Sequence, residues 1–269
     1  DLFHGLNQRL PRLRFRRTVT TFHDLFVLTG SYSTPEFRHR FAEQARQAAA
    51  ASDLIIAVSA FTASQVEHLL HADPRRLRVV HHGVRPLPLP AVAREPVILH
   101  VGAIQLRKNV QRLVEAFEQL PAGWRLVLAG SAGYGAAEIL ACIDRSPARQ
   151  RIHLLGYVTT ATLAEWYAKA AIFAFPSLDE GFGIPVVEAM AAGIPVVTSN
   201  RSSLPEVAGD AALLVDPEDT DALAGALDRL IRSEALRLDL GERGRQRATR
   251  FTWEKAVAQT WAAYRELLP

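Results

Sequence analysis

The chain has 269 residues, 49% of them hydrophobic and 22% charged, with a formal net charge of +3. That is an ordinary globular composition, with material for one large domain or two smaller ones. Apolar runs stop at strand length, which excludes a membrane-spanning helix, and the single Cys142 excludes a disulfide within the chain. One thiol fits a reducing compartment. With no charged-then-apolar leader, the expectation is a cytoplasmic protein.

Charge is unevenly placed. Arg9, Arg12, Arg14, Arg16 and Arg17 are interleaved with Leu10, Leu13 and Phe15, and no acid lies between Asp1 and Asp24. The stretch reads either as a solvated arginine face or as an attraction to an anionic membrane, on its inner face, or to a phosphorylated lipid acceptor. Nucleic acid is not expected, because the patch is short and carries no nucleic-acid motif.

Strand and helix then alternate, with strands at 18–23, 53–59 and 76–81 and helices at 35–52 and 59–72. Alternation of this kind predicts a parallel sheet with helices on both faces. Residues 83–96 lose all periodicity and carry Pro86, Pro88, Pro90 and Pro96, which marks a linker. A second alternation follows, with strands at 97–101, 124–129, 151–155, 171–175, 194–198 and 211–215. Cys142 falls in its second helix beside Ile139 and Ile143 and reads as a buried structural thiol. The expected fold class is α/β. One Rossmann-like domain covers 86–249, and an incomplete one covers 1–85, completed by the terminal helix within 250–269. Residues 18–23 are expected at an unpaired sheet edge, to be covered by a partner chain, a dimer mate or residues beyond this stretch.

The most informative stretch is 171–206, AIFAFPSLDEGFGIPVVEAMAAGIPVVTSNRSSLPE. A buried strand leads into Asp179 and Glu180, then Gly181-Phe182-Gly183, then a helix with Pro185 at its first position and Gly193 at its end. A glycine-rich turn into a helix N-terminus offers unpaired N–H groups and the positive end of the helix dipole, which suits a phosphate. Glu180 and Glu188 flank that cradle. Facing an anion they would repel it, so they make better acceptors for sugar hydroxyls. The shape is that of a nucleotide-sugar site.

Other positions are weighed the same way. Arg107 and Lys108 follow a strand and a short loop, so they can point at the cleft above the sheet's C-terminal edge and neutralise a departing diphosphate. Otherwise they are solvated charge at a helix start. His23, followed by Asp24 at a strand end, is either a proton handler or hydroxyl binder, or a structural histidine. His81 and His82 are not expected to hold a metal, since neighbours on a strand point to opposite faces. Ser203 reads as a helix N-cap. His4, His39, His68, His71, His100 and His153 carry no assignment.

The E-x7-E of Glu180 and Glu188, with GFGIP between and A-x-A-A-G-x-P-V-V after, resembles the retaining glycosyltransferases of family four, which have the two-domain GT-B fold. V-G-x-I-x-x-R-K-N at 101–109 and T-x-H-D at 21–24 extend the likeness over nearly the whole chain. It implies that Glu188 bonds the ribose hydroxyls, that Glu180 contacts the donor sugar, and that the N–H groups of Phe182, Gly183 and Ile184 face phosphate and sugar. It implies a diphosphate held near Gly102, Arg107 and Lys108, a base bordered by Tyr157 and Val158, and His23 and Asp24 beside donor sugar and acceptor. The T-F-H-D and L-R-K-N details look most like bacterial mannosyltransferases of O-antigen or capsule assembly. GDP-mannose is then the first donor and a UDP-sugar the alternative, with a hydroxyl of a glycan or lipid-linked glycan as acceptor. Neither cofactor nor metal is expected. A second reading is a non-catalytic nucleotide-sugar-binding partner subunit. A dehydrogenase-like protein is disfavoured, because no G-x-G-x-x-G follows the first strand of the second domain.

Overall fold

A computed structural model describes the whole chain except Arg12, Arg14, Pro86 and Pro269. The chain forms two compact units. One comprises Asp1–Gly83, Glu180–Phe182 and Phe251–Pro269, the other Val84–Asp179 and Gly183–Arg250.

The first unit is built on a parallel sheet in the order β1 (Leu2–Gly5), β2 (Arg17–Phe22), β3 (Leu54–Ala57) and β4 (Leu77–Val79). Between them run α1 (Phe26–Thr29), α2 (Pro35–Ala51) and α3 (Ala60–Leu70). Residues 18–23 are not at an edge, contrary to expectation. β1 pairs with β2 from Leu2↔Arg17 to Gly5↔Thr20, and four residues are too few to show as alternation. β3 reads Leu-Ile-Ile-Ala and is buried throughout, as a parallel strand covered on both faces must be. Phe22, Phe41, Ile55 and Val66 fill one side of the sheet, and Val19, Leu54 and Ile56 the other. Hydroxyls set the helix starts: Thr34 accepts from the Phe37 N–H and Ser59 from the Thr62 N–H. Of the arginine stretch, Arg9, Arg16 and Arg17 are exposed, while Arg12 and Arg14 lie outside the described residues.

The second unit holds a six-stranded parallel sheet. Its strands are β5 (Glu95–Val101), β6 (Arg125–Ala129), β7 (Ile152–Gly156), β8 (Ala170–Phe175), β9 (Val196–Ser199) and β10 (Ala212–Val215), in the order β10-β9-β8-β5-β6-β7. Pro96 therefore lies inside β5 rather than in the linker. The connecting helices are α4 (Val110–Glu118), α5 (Ala136–Arg145), α6 (Thr160–Lys169), α7 (Ile184–Ala191) and α8 (Leu204–Ala208), followed by α9 (Thr220–Arg232) and α10 (Glu234–Ala248). Val110, Leu113, Val114 and Phe117 of α4 meet Leu223, Leu227 and Leu230 of α9 in the main core. Their helical spacing keeps each series on one face, and full burial of such a side chain stabilises by about 2 kcal/mol. Cys142 of α5 is half-buried rather than sealed in the core. Ser203 stands at the N-cap position of α8, yet its side chain makes no capping bond.

The last helix, α11 (Trp253–Arg265), belongs to the first unit, where Ala256, Ala263, Tyr264 and Leu267 pack with Val19, Leu54 and Ile56. Gly83 is required beneath it, since a Cβ there would lie 2.3 Å from the Trp253 backbone nitrogen. Among the described residues no helix is long and apolar enough to cross a membrane.

Candidate functional site

The centre of the second unit is the junction of β5, β8 and α7. Leu106–Lys108 form a single 3₁₀ turn, not the loop and helix start expected, and Asn109 turns the chain into α4 at φ 57°. Arg107 and Lys108 are only 8% and 9% exposed, so they are not solvated surface charge. Arg107 donates from Nη1 to the Asp179 carbonyl at 2.5 Å, and its own carbonyl accepts from the Leu178 N–H at 2.9 Å. Lys108 Nζ stands 4.8 Å from the centroid of the Phe175 ring, a cation–π contact that partly offsets burial of the charge. A Cβ on Gly102 would sit 3.6 Å from the Lys108 stem, which places that glycine beside the lysine.

α7 starts one residue before its proline. Ile184 is the first helical residue, Pro185 the second, and Gly183 precedes them at φ 99°, a left-handed conformation that glycine adopts without strain. The Val186 and Val187 N–H groups bond back to the Gly183 carbonyl. Glu188, one turn in, accepts at Oε2 a hydrogen bond of 3.0 Å from the hydroxyl of Tyr167 on α6. Burial raises the Glu188 pKa, and the tyrosine bond works against that rise. The Tyr167 phenol is pushed far upward, first by burial and then by Glu188, so it stays a donor. Nothing in the sequence pairs Tyr167 with Glu188. The available signal is a tyrosine on the buried Ala164–Ala168 face of a helix, since a buried hydroxyl needs a partner. Tyr157 and Val158 follow Gly156 at the end of the edge strand β7, two strands from β5, and Tyr157 is 85% exposed.

The remaining candidates gather in the first unit, to which Glu180–Phe182 belong. A Cβ on Gly181 would lie 1.7 Å from the His23 carbonyl oxygen and 3.0 Å from Asp24 Cβ. Thr62 Oγ1 donates to the Gly181 carbonyl at 3.1 Å. This brings His23, Asp24, Glu180 and Phe182 together. His23 lies parallel to His82, with ring centroids 5.1 Å apart, and Phe182 meets His82 edge-on at 5.4 Å. His23 Nε2 is 2.7 Å from the Leu6 carbonyl and Nδ1 is 3.1 Å from His82 Nε2. A carbonyl only accepts, so in the neutral pair His23 Nε2 donates and Nδ1 accepts from His82. Burial, then the neighbouring His23 and His81, holds the His82 pKa down at about 4.

The one D-x-D spacing in the sequence, Asp219-Thr220-Asp221, serves structure. Asp219 caps α9 by accepting from the Ala222 N–H at 2.8 Å, and Asp221 accepts from Gln119 at 3.2 Å. Among the described residues no group of three or more His, Cys, Asp or Glu is placed to hold a metal ion.

Comparison with known proteins places the chain. Residues 88–247 match the family described as glycosyl transferases group 1, and residues 2–86 match glycosyltransferase family 4. The O-antigen chain mannosyltransferase B of Escherichia coli is 34% identical over 99% of this chain and 74% of its own length. A D-inositol 3-phosphate glycosyltransferase of Xylanimonas cellulosilytica is also 34% identical, over 95% of this chain and 66% of its own. Among solved structures, sucrose-phosphate synthase from Thermosynechococcus elongatus aligns with a TM-score of 0.80 at 27% identity, covering 95% of this chain and 69% of that one. Two parallel-sheet units with these likenesses define the GT-B class of fold. The chain belongs to the group 1 glycosyl transferases and is a glycosyltransferase of the hexosyl-transferring kind.

Proposed function

We propose that the chain carries out retaining, metal-independent transfer of mannose from GDP-mannose to a hydroxyl of a glycan or lipid-linked glycan, in the cytoplasm. The observation that carries this reading is the α7 junction. A left-handed glycine opens a helix N-terminus, two buried cations stand on the 3₁₀ turn after β5, and a tyrosine-held carboxylate lies one turn into the helix. These are complementary groups for phosphate and for sugar hydroxyls. The mannosyltransferase names of the relatives support mannose as the sugar.

In this reading Glu188 accepts from the ribose hydroxyls and Glu180 from the donor sugar. Gly102, Arg107 and Lys108 border the diphosphate together with the N–H groups of Phe182, Gly183 and Ile184, and Tyr157 and Val158 border the base. His23 and Asp24 serve the sugar and acceptor side. The diphosphate leaves the anomeric carbon as an acceptor hydroxyl bonds to it from the same face, and a departing phosphate oxygen takes the hydroxyl proton. Arg107 and Lys108 supply the positive charge that the leaving group needs.

Incubating the protein with GDP-mannose and a mannose-terminated lipid-linked glycan in EDTA tests the whole reading. The expected product carries a new α-mannosyl linkage, identified by its anomeric NMR coupling. A β linkage would overturn retention, strict dependence on added metal would overturn metal independence, and transfer only from UDP-sugars would replace the donor.

A further inference from the structure

We infer that Tyr167 is a positioning residue for donor binding, holding Glu188 in the orientation in which its second carboxylate oxygen reaches the ribose hydroxyls. The inference rests on the ribose role proposed for Glu188 and extends it to a residue that does not touch the nucleotide.

Glu188 sits on α7 with three rotatable side-chain bonds, and a carboxylate left to sample those rotamers recognises a diol poorly. Tyr167 removes that freedom. Its ring is fully buried on α6, 5.9 Å from the Phe173 ring of β8, so the phenol cannot swing away. Its hydroxyl is fixed at 3.0 Å from Glu188 Oε2, and the Pro185 carbonyl lies 3.5 Å from it. With Oε2 committed to the tyrosine, the carboxylate plane is set and Oε1 is the oxygen available to a ligand. The same bond favours the ionised carboxylate against the burial that opposes it, and an ionised carboxylate is the stronger acceptor. A helix–helix packing contact between α6 and α7 would be served equally well by phenylalanine. The hydroxyl has two acceptors in reach, and the shorter contact, 3.0 Å against 3.5 Å to the Pro185 carbonyl, is to Glu188.

The test compares GDP with 2′,3′-dideoxy-GDP, and UDP with its dideoxy counterpart, by calorimetric titration of the wild-type protein, Tyr167→Phe, Glu188→Gln and the double variant. The wild type is expected to favour the ribonucleotide by roughly 10- to 100-fold, the range of one or two hydrogen bonds to a charged group. Tyr167→Phe is expected to weaken the ribonucleotide by about tenfold while leaving the dideoxynucleotide unchanged, which also shows that the variant is folded. In the Glu188→Gln background, where only an uncharged acceptor is left for tyrosine and ribose, Tyr167→Phe should then have a smaller effect. If Tyr167→Phe weakens both nucleotides alike, or keeps the wild-type preference, the tyrosine is structural and the inference is wrong. Failure of the wild type itself to discriminate would instead remove the ribose role of Glu188, and with it the ground on which the inference stands.

Discussion

His82 stacks on His23, and its protonation is opposed by burial and then by the neighbouring His23 and His81. The His82 pKa falls from 6.5 to about 4 in the folded chain. Between those values the unfolded chain binds the extra proton, so this stabilisation is complete above pH 6.5 and is lost as pH falls toward 4. A shift of that size corresponds to roughly 3 kcal/mol when fully realised, and a half-buried ring retains about 1–2 kcal/mol of it. Urea unfolding at pH 7 and pH 4.5 checks this: His82→Asn should lose less stability on acidification than the wild type by about that amount. Equal losses would show that His82 does not titrate with folding. His4, also depressed by burial, acts in the same direction and is present in both proteins. At this scale the sequence marked His23 through its Thr-x-His-Asp setting but not its partner. His82 is 59 residues away, and only the fold brings the rings together.

Short elements position the cations. Asn109 joins the 3₁₀ turn to α4 in the left-handed region, and its side-chain amide donates to the Pro176 carbonyl at 3.1 Å and the Pro217 carbonyl at 2.6 Å. Those bonds tie the turn carrying Arg107 and Lys108 to the loops after β8 and β10. Asn109→Ala loses two buried hydrogen bonds of about 1 kcal/mol each and adds left-handed strain of 1–2 kcal/mol, for a cost of roughly 3 kcal/mol. Asn109→Gly keeps the backbone conformation open and should cost less, because only the bonds are lost. Denaturant titration orders the three proteins, and an alanine variant as stable as the wild type would show that the clamp is incidental. The apolar runs of β3 and β8 were legible because strands buried on both faces leave nothing polar to interrupt them. The four-residue β1 and the three-residue 3₁₀ turn were not, because neither is long enough to establish a period.

For the molecule as a whole, the doubled strand–helix alternation makes the α/β fold class legible in the sequence. What sequence could not announce is that Glu180–Phe182, inside the most informative stretch, pack with the first unit against His23. Contiguity in sequence suggested one site feature where the chain contributes to both units. Donor recognition is the property on which every proposed role depends, and calorimetric titration with GDP and with UDP in EDTA measures it directly. GDP is expected to bind, with UDP weaker by about tenfold or more, the cost of one lost base contact. Tighter binding of UDP would contradict the guanosine donor, and no binding of either at millimolar concentration would contradict nucleotide-sugar recognition by this chain.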